Sequence, residues 1–188
     1  MIVVRGKTVK KEYIKEILFT TDEINSIVEK LGQQITQDYK NKDIVVIGVL
    51  KGSAIFMCDL IKHIDCNINI DFIEVSSYNN GVSSSGNVKV IKDLSEDIQN
   101  KDVLVIEDII DSGITLNYLL DFLKAKNPKS IKLCTFLDKP SRRKIDIPVD
   151  YIGRQIEDNY VIGYGFDYQQ YFRNLPYVGI LKPEVYSK

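Results

Sequence analysis

The apolar positions of this chain fall into two kinds of run. Ile44 to Leu50 (I-V-V-I-G-V-L), Val103 to Ile106 and Ile131 to Leu137 (I-K-L-C-T-F-L) are short, nearly unbroken and bounded by polar residues. Such runs fit strands buried on both faces of a parallel sheet. Between them, apolar residues recur at helical spacing: Ile24, Ile27, Val28, Leu31 and Ile35, then Ile55, Phe56, Leu60 and Ile61, then Leu116, Leu119, Leu120 and Leu123. Thr20-x-x-Glu23 reads as a capping box for the first helix, and Asn127-Pro128 stops the third. Strands alternating with helices predict an α/β chain with a mostly parallel central sheet flanked by helices. Ile68 to Tyr78 alternates as a long strand, and Val88, Val90 and Ile91 resume one after the polar, glycine-bearing stretch Asn79 to Gly86. That pair is either a plain β-hairpin or the two arms of a lid over a reacting site.

Composition narrows the field. The chain has 188 residues, 44% hydrophobic and 27% charged, the make-up of one globular domain, residues 1–188. The net charge of −1 gives no basic field that would favour nucleic acid. Three cysteines without a C-x-x-C spacing favour reduced thiols over disulfides or zinc. No stretch approaches 18 apolar residues, and the apolar start at Met1 is too short for a signal peptide. The expectation is a cytoplasmic protein with no membrane partner.

The candidate chemistry is concentrated at Val103–Thr115, which reads V-L-V-I-E-D-I-I-D-S-G-I-T. The order is strand, acidic edge at Glu107 and Asp108, tight turn at Asp111-Ser112-Gly113-Ile114-Thr115, then helix. Ligands of open α/β sheets gather outside the carboxyl ends of the strands. A turn feeding a helix N-terminus offers free backbone N–H groups to an anion, and Ser112 and Thr115 add hydroxyls. Carboxylates beside a phosphate site imply sugar hydroxyls or a divalent cation between the two. A phosphorylated ribose with Mg²⁺ meets both demands. The plainer alternative is an ordinary corner in which Asp111 caps the helix. Neither of the common glycine-rich phosphate loops is present.

Two other strands end in suggestive turns. Lys51-Gly52-Ser53 follows Ile44–Leu50 as a second anion-site candidate, although Lys51 also reads as a surface lysine. Ile131–Leu137 ends in Asp138-Lys139-Pro140-Ser141-Arg142-Arg143-Lys144, a charge run of the solvated-loop type. Arg142, Arg143 and Lys144 read as surface or subunit-contact residues. His63, the only histidine, has no partner signal and reads as structural.

The stretch E-D-I-I-D-S-G resembles the phosphoribosyl-diphosphate signature of the type I phosphoribosyltransferases, in the form of the hypoxanthine–guanine branch. Leu50-Lys51-Gly52, Ser77-Tyr78, Lys139, and the C-terminal stretches Tyr160 to Tyr168 and Tyr171 to Pro176 are similar to the same family in order. The resemblance covers roughly 50–176. It implies the type I phosphoribosyltransferase fold, with a small hood built from the N-terminal segment and roughly 150–188. It implies phosphoribosyl transfer from phosphoribosyl diphosphate to a 6-oxopurine, hypoxanthine or guanine, with Mg²⁺. A xanthine-preferring relative or a nucleotide-sensing regulator on the same fold are the alternatives. By resemblance, Lys51 and Gly52 hold pyrophosphate, through a strained peptide between Leu50 and Lys51. Ser77 and Tyr78 open the lid. Glu107 and Asp108 hold the ribose hydroxyls, directly or through Mg²⁺. Ile109, Ile110 and Asp111 to Thr115 form the rest of the phosphoribosyl site, with Asp111 as general base. Lys139 contacts the purine 6-oxo group, Tyr160 stacks on the base and the Val161 backbone reads its edge. Asp167 serves a second metal and the base edge, and Arg173 holds pyrophosphate. Ile114 departs from relatives that carry lysine there. The family also implies a homodimer or homotetramer.

Overall fold

The computed structural model describes residues 11–78 and 87–187. The proposed lid segment, Asn79–Gly86, therefore lies outside the described residues, and of Ser77 and Tyr78 only the backbone, at the end of a strand, is described. Among the described residues, one sheet has six strands. They are β2 (Asp43–Leu50), β3 (Asn67–Tyr78), β4 (Asn87–Lys92), β5 (Asp102–Ile110), β6 (Ser130–Asp138) and β7 (Tyr151–Gln155), ordered β4-β3-β2-β5-β6-β7. Every pairing is parallel except β3 with β4.

The strand residues alternate between two apolar layers. Ile44 and Val46 of β2, with Leu104 and Ile106 of β5, pack with Ile24, Ile27, Leu31 and Ile35 of α1 (Thr21–Asp38) and with Phe56, Met57 and Leu60 of α2 (Ala54–Leu60). Val45, Ile47, Val49, Val103 and Val105 face the other way, onto Leu116, Leu119, Leu120 and Leu123 of α3 (Ile114–Lys124). A strand covered on both faces has no polar side to show, which is why these strands read as unbroken apolar runs.

From β2 the chain moves outward to β3 and β4, then returns to β5 on the other side of β2. That reversal is a topological switch point, where the loops at the carboxyl ends diverge and leave a crevice. The register enlarges it. β5 pairs with β2 only as far as Gly48↔Ile106, yet continues against β6 to Ile110↔Asp138. Glu107 and Asp108 therefore lie on the strand, where one neighbour has peeled away. The apolar run that predicts the strand stops at Ile106. The hydrogen bonds to β6 continue through the acidic residues regardless of their polarity.

A second, three-stranded sheet forms the hood, from β1 (Ile14–Phe19), β8 (Val161–Ile162) and β9 (Val178–Leu181), in the order β1-β9-β8. All its pairings are antiparallel. Residues 151–155, expected in the hood, extend the large sheet as β7, because Tyr151 and Ile152 pair with Cys134 and Thr135. A short C-terminal helix, α4 (Pro183–Tyr186), follows β9. No helix among the described residues is long and apolar enough to cross a membrane.

The capping box is complete. Thr20 Oγ1 accepts from the Glu23 backbone N–H, and Glu23 Oε2 accepts from the Thr20 N–H at 2.8 Å. These contacts satisfy two N–H groups at the α1 start. Thr20→Ala is expected to cost about 0.5–2 kcal/mol of stability. Urea unfolding of both proteins checks this, and superimposable curves would show the box to be energetically idle.

Candidate active site

The site is assembled at the carboxyl ends of β2, β5 and β6, with the hood closing it from above. Two cavities meet there. One, of about 320 Å³, is lined by Gly52, Glu107 to Gly113, Thr115, Asp167 and Arg173, among others. The other, of about 490 Å³, is lined by residues including Ile109, Lys139, Arg142, Tyr160, Val161 and Tyr186. Asp108, Ile109, Asp111 and Asp167 line both, so one ligand can reach from the first into the second.

The first cavity has an acidic wall and a turn made of small residues. Glu107 Oε1 accepts from the Asp108 N–H at 3.1 Å, and Asp108 Oδ1 accepts from the Ile109 N–H at 2.7 Å. Burial pushes the Asp108 carboxyl above its ordinary value. It pushes Glu107 well above, with the Asp108 charge adding to the effect. Two adjacent, partly desolvated carboxyls call for a cation. No group of three or more His, Cys, Asp or Glu among the described residues is arranged to hold an ion. Two carboxylates alone fit Mg²⁺, which takes one or two of them and completes its shell with waters and phosphate oxygens.

The turn departs from the simple capped corner. The N-cap of α3 is Gly113, at φ 82°, and it makes no side-chain cap. A positive φ costs glycine little. Asp111 does not cap the helix. Its Oδ1 accepts from Arg142 Nε at 3.1 Å. Ser112 Oγ stands 3.4 Å from the Ile114 N–H, and the Ser112 carbonyl accepts from the Lys144 and Ile145 N–H groups. The chain after Lys139 thus braces the turn.

At the β2 end, the Leu50–Lys51 peptide bond is cis. Gly52 packs so tightly on Asp108 that an added Cβ would overlap its carboxylate. Opposite, Arg173 pairs with Asp167 at 2.7 Å and donates through Nη1 to the Gly165 carbonyl at 2.6 Å. Asp167 also accepts from the Gln170 N–H at 2.8 Å. Its carboxylate is therefore held beside a guanidinium.

The second cavity is aromatic with a buried cation. Lys139 is 7% exposed, and its N–H donates to the Ile110 carbonyl at 3.0 Å. Its Nζ lies 3.6 Å from Asp158 Oδ1. Tyr160 is 37% exposed and faces this cavity with Val161, which is buried.

Fourteen of the sequence-predicted residues line this pair of cavities, from Gly52 through Arg173. Lys51 and Ile114 have exposed side chains and line neither. Sequence reasoning missed Arg142, Asp158 and Tyr186. Arg142 read as surface because a charge run gives no contact. Its pairing with Asp111 spans 31 positions and has no local signal.

The model of the phosphoribosyl transferase domain matches residues 16–170 of this chain. The chain belongs to the phosphoribosyltransferase family. A hypoxanthine-guanine phosphoribosyltransferase of Staphylococcus aureus is 52% identical over 174 residues, 93% of this chain and 97% of that protein. A crystal structure of a hypoxanthine phosphoribosyltransferase from Staphylococcus aureus superimposes with a TM-score of 0.92 at 50% identity, covering 98% of this chain and 100% of that one. A hypoxanthine-guanine phosphoribosyltransferase structure from Bacillus anthracis, with a HEPES molecule in its active site, gives a TM-score of 0.86 at 46% identity over 90% of this chain and 99% of that one. The architecture is accordingly the type I phosphoribosyltransferase fold, and the relatives stand on its hypoxanthine–guanine branch.

The raised acids of this phosphoribosyltransferase make its stability depend on pH. A carboxyl whose pKa is higher folded than unfolded stabilises the fold at low pH, and that contribution is lost as pH rises through the folded value. Glu107→Gln mimics the protonated form. In EDTA at pH 8 it should raise the thermal midpoint, by about 2–4 °C for each kcal/mol of repulsion relieved. Near pH 4 the gain should vanish. Equal midpoints at both pH values would show that Glu107 carries no such penalty.

Proposed function

We propose that the chain transfers the 5-phosphoribosyl group from phosphoribosyl diphosphate to N9 of hypoxanthine or guanine. The products are IMP or GMP and pyrophosphate, a purine-salvage reaction. The observation that carries this reading is the junction of the two cavities. An acid-and-turn cavity suited to a phosphorylated sugar opens into an aromatic cavity with a buried lysine, and Asp108, Ile109, Asp111 and Asp167 belong to both.

In this reading the 5′-phosphate sits on the Asp111–Thr115 turn, where N–H groups at the α3 start and the Ser112 and Thr115 hydroxyls meet it. Binding energy gathered there positions the sugar without touching the reacting carbon. Glu107 and Asp108 hold the ribose hydroxyls or the cation, and their charge favours the positive character that grows at the anomeric carbon. Glu107 and Asp108 would hold Mg²⁺, which would supply neutralising charge for the pyrophosphate. Arg173 and the Lys51-Gly52 backbone take the same group from the protein side. The bond from C1′ to the pyrophosphate oxygen breaks and the bond from C1′ to N9 forms. The purine N7 proton goes to Asp111, whose Oδ1 is steadied by Arg142. Lys139 donates to the 6-oxo oxygen from a buried position, where a donor is not shared with water. Tyr160 stacks on the base, the Val161 backbone reads its edge, and Asp167 contributes to the metal and the base edge. Ser77 and Tyr78 open the lid. A homodimer or homotetramer in the cytoplasm completes the proposal.

The decisive variant is Asp111→Asn, which keeps the shape and removes the base. Its turnover should fall by about 10²–10⁴-fold, the usual contribution of a positioned acid–base group, while circular dichroism stays native. Native turnover in a folded Asp111→Asn protein would remove Asp111 from the chemistry.

A further inference from the structure

The ring of Tyr160 is held by two other tyrosines. Tyr186 lies against its face, with ring centroids 5.0 Å apart and planes 28° apart. Tyr168 meets it edge-on, at 5.7 Å and 82°. Both Tyr160 and Tyr186 line the larger cavity. Tyr186 is the last residue of α4, and no motif in the sequence marks it.

Several hydrogen bonds fix the tail that carries it. The Tyr168 hydroxyl donates to the Val185 carbonyl at 2.9 Å, tying the edge-on ring to α4 itself. The Leu181 N–H donates to the Tyr160 carbonyl at 2.8 Å, and the Lys182 N–H to the Tyr13 carbonyl at 2.9 Å. Pro183 starts the turn at a position where its missing N–H costs nothing. The tail is thus bonded to Tyr13, just ahead of β1, to Tyr160 and to Tyr168, and forms one wall of the hood.

We propose that Tyr186 is a positioning residue for the purine. It rests on the reading of Tyr160 as the base-stacking ring. An aromatic ring has two faces; Tyr186 covers one of them, and the proposal assigns the other to a planar base. An isolated, half-exposed tyrosine turns about its side-chain bonds, and binding a base would have to stop that motion. Clamping the ring beforehand removes that cost from the binding step. The aromatic stack supplies the clamp, and offset or tilted ring pairs are attractive beyond their buried area. The C-terminal turn is therefore part of the base site although it sits after the last strand.

The test is steady-state kinetics of Tyr186→Ala and Tyr186→Phe, varying hypoxanthine or guanine at saturating phosphoribosyl diphosphate and then the reverse. Tyr186→Ala should raise KM for the purine about tenfold, the range of one aromatic pair. KM for phosphoribosyl diphosphate should stay close to that of the parent protein, and Tyr186→Phe, which keeps the ring, should restore the purine value. Tyr186→Leu serves as a second variant that keeps the apolar cover without a stacking face, and it should behave like Tyr186→Ala. Calorimetric titration with GMP gives the same comparison without turnover. An unchanged purine KM in both ring-less variants would overturn the proposal. So would a lower one, which would make Tyr186 a plug on the base face, and so would a parallel rise for both substrates. No turnover in the parent protein with any purine would instead overturn the reading of the reaction.

Discussion

The site depends on a close approach at Gly52. Three passages of chain converge there: the turn after β2, the acidic end of β5 and the hood. An added Cβ at Gly52 would overlap the Asp108 carboxylate, and one at Gly165, where φ is +103°, would overlap the Gly52 carbonyl. Both positions need glycine, one for space and the other for space and backbone angle. Without them the hood could not come down onto the sheet. Arg173, which donates to the Gly165 carbonyl, would then stand away from the acids it faces. The hood is further seated by aromatic contacts, since Tyr164 and Phe166 pack on Phe136 of β6, and by the Tyr164 hydroxyl on Asp59 of α2.

The electrostatics follow from that packing. Burial raises the carboxyls of both Glu107 and Asp108, and the Asp108 charge adds to the effect at Glu107, so both resist ionisation. Such an arrangement is unfavourable for the fold alone. On the other side of the same crevice, Arg142 bridges Asp111 and Asp158, and Lys139 also faces Asp158. The larger cavity is therefore lined by alternating charges around an aromatic wall, while the smaller one is acidic with one guanidinium. Polarity thus differs between the two halves of one continuous crevice.

The fold was largely legible because its signals are local. The unbroken runs of β2, β5 and β6, the helical stripes and the capping box each follow from neighbours along the chain. The length of β5 was not legible, because pairing with β6 carries it past the apolar run to Ile110. The assignment of residues 151–155 to the large sheet was hidden for the same reason, since Tyr-Ile-Gly-Arg-Gln gives no periodic signal. At the site, E-D-I-I-D-S-G identified the turn by resemblance, while physics alone left it balanced against a simple helix cap. Arg142 reads as a surface residue and Tyr186 carries no motif, because each meets a partner distant in sequence, Asp111 and Tyr160.

The central claim is that this crevice pairs phosphoribosyl diphosphate with a 6-oxopurine. Steady-state turnover with phosphoribosyl diphosphate and Mg²⁺, supplied in turn with hypoxanthine, guanine and adenine, addresses it most directly. Lys139 can donate to a 6-oxo oxygen and has no acceptor for a 6-amino group. The account predicts turnover of hypoxanthine and guanine with release of pyrophosphate, and none with adenine. Equal turnover of adenine, or tight binding of phosphoribosyl diphosphate with no transfer to any purine, would contradict it.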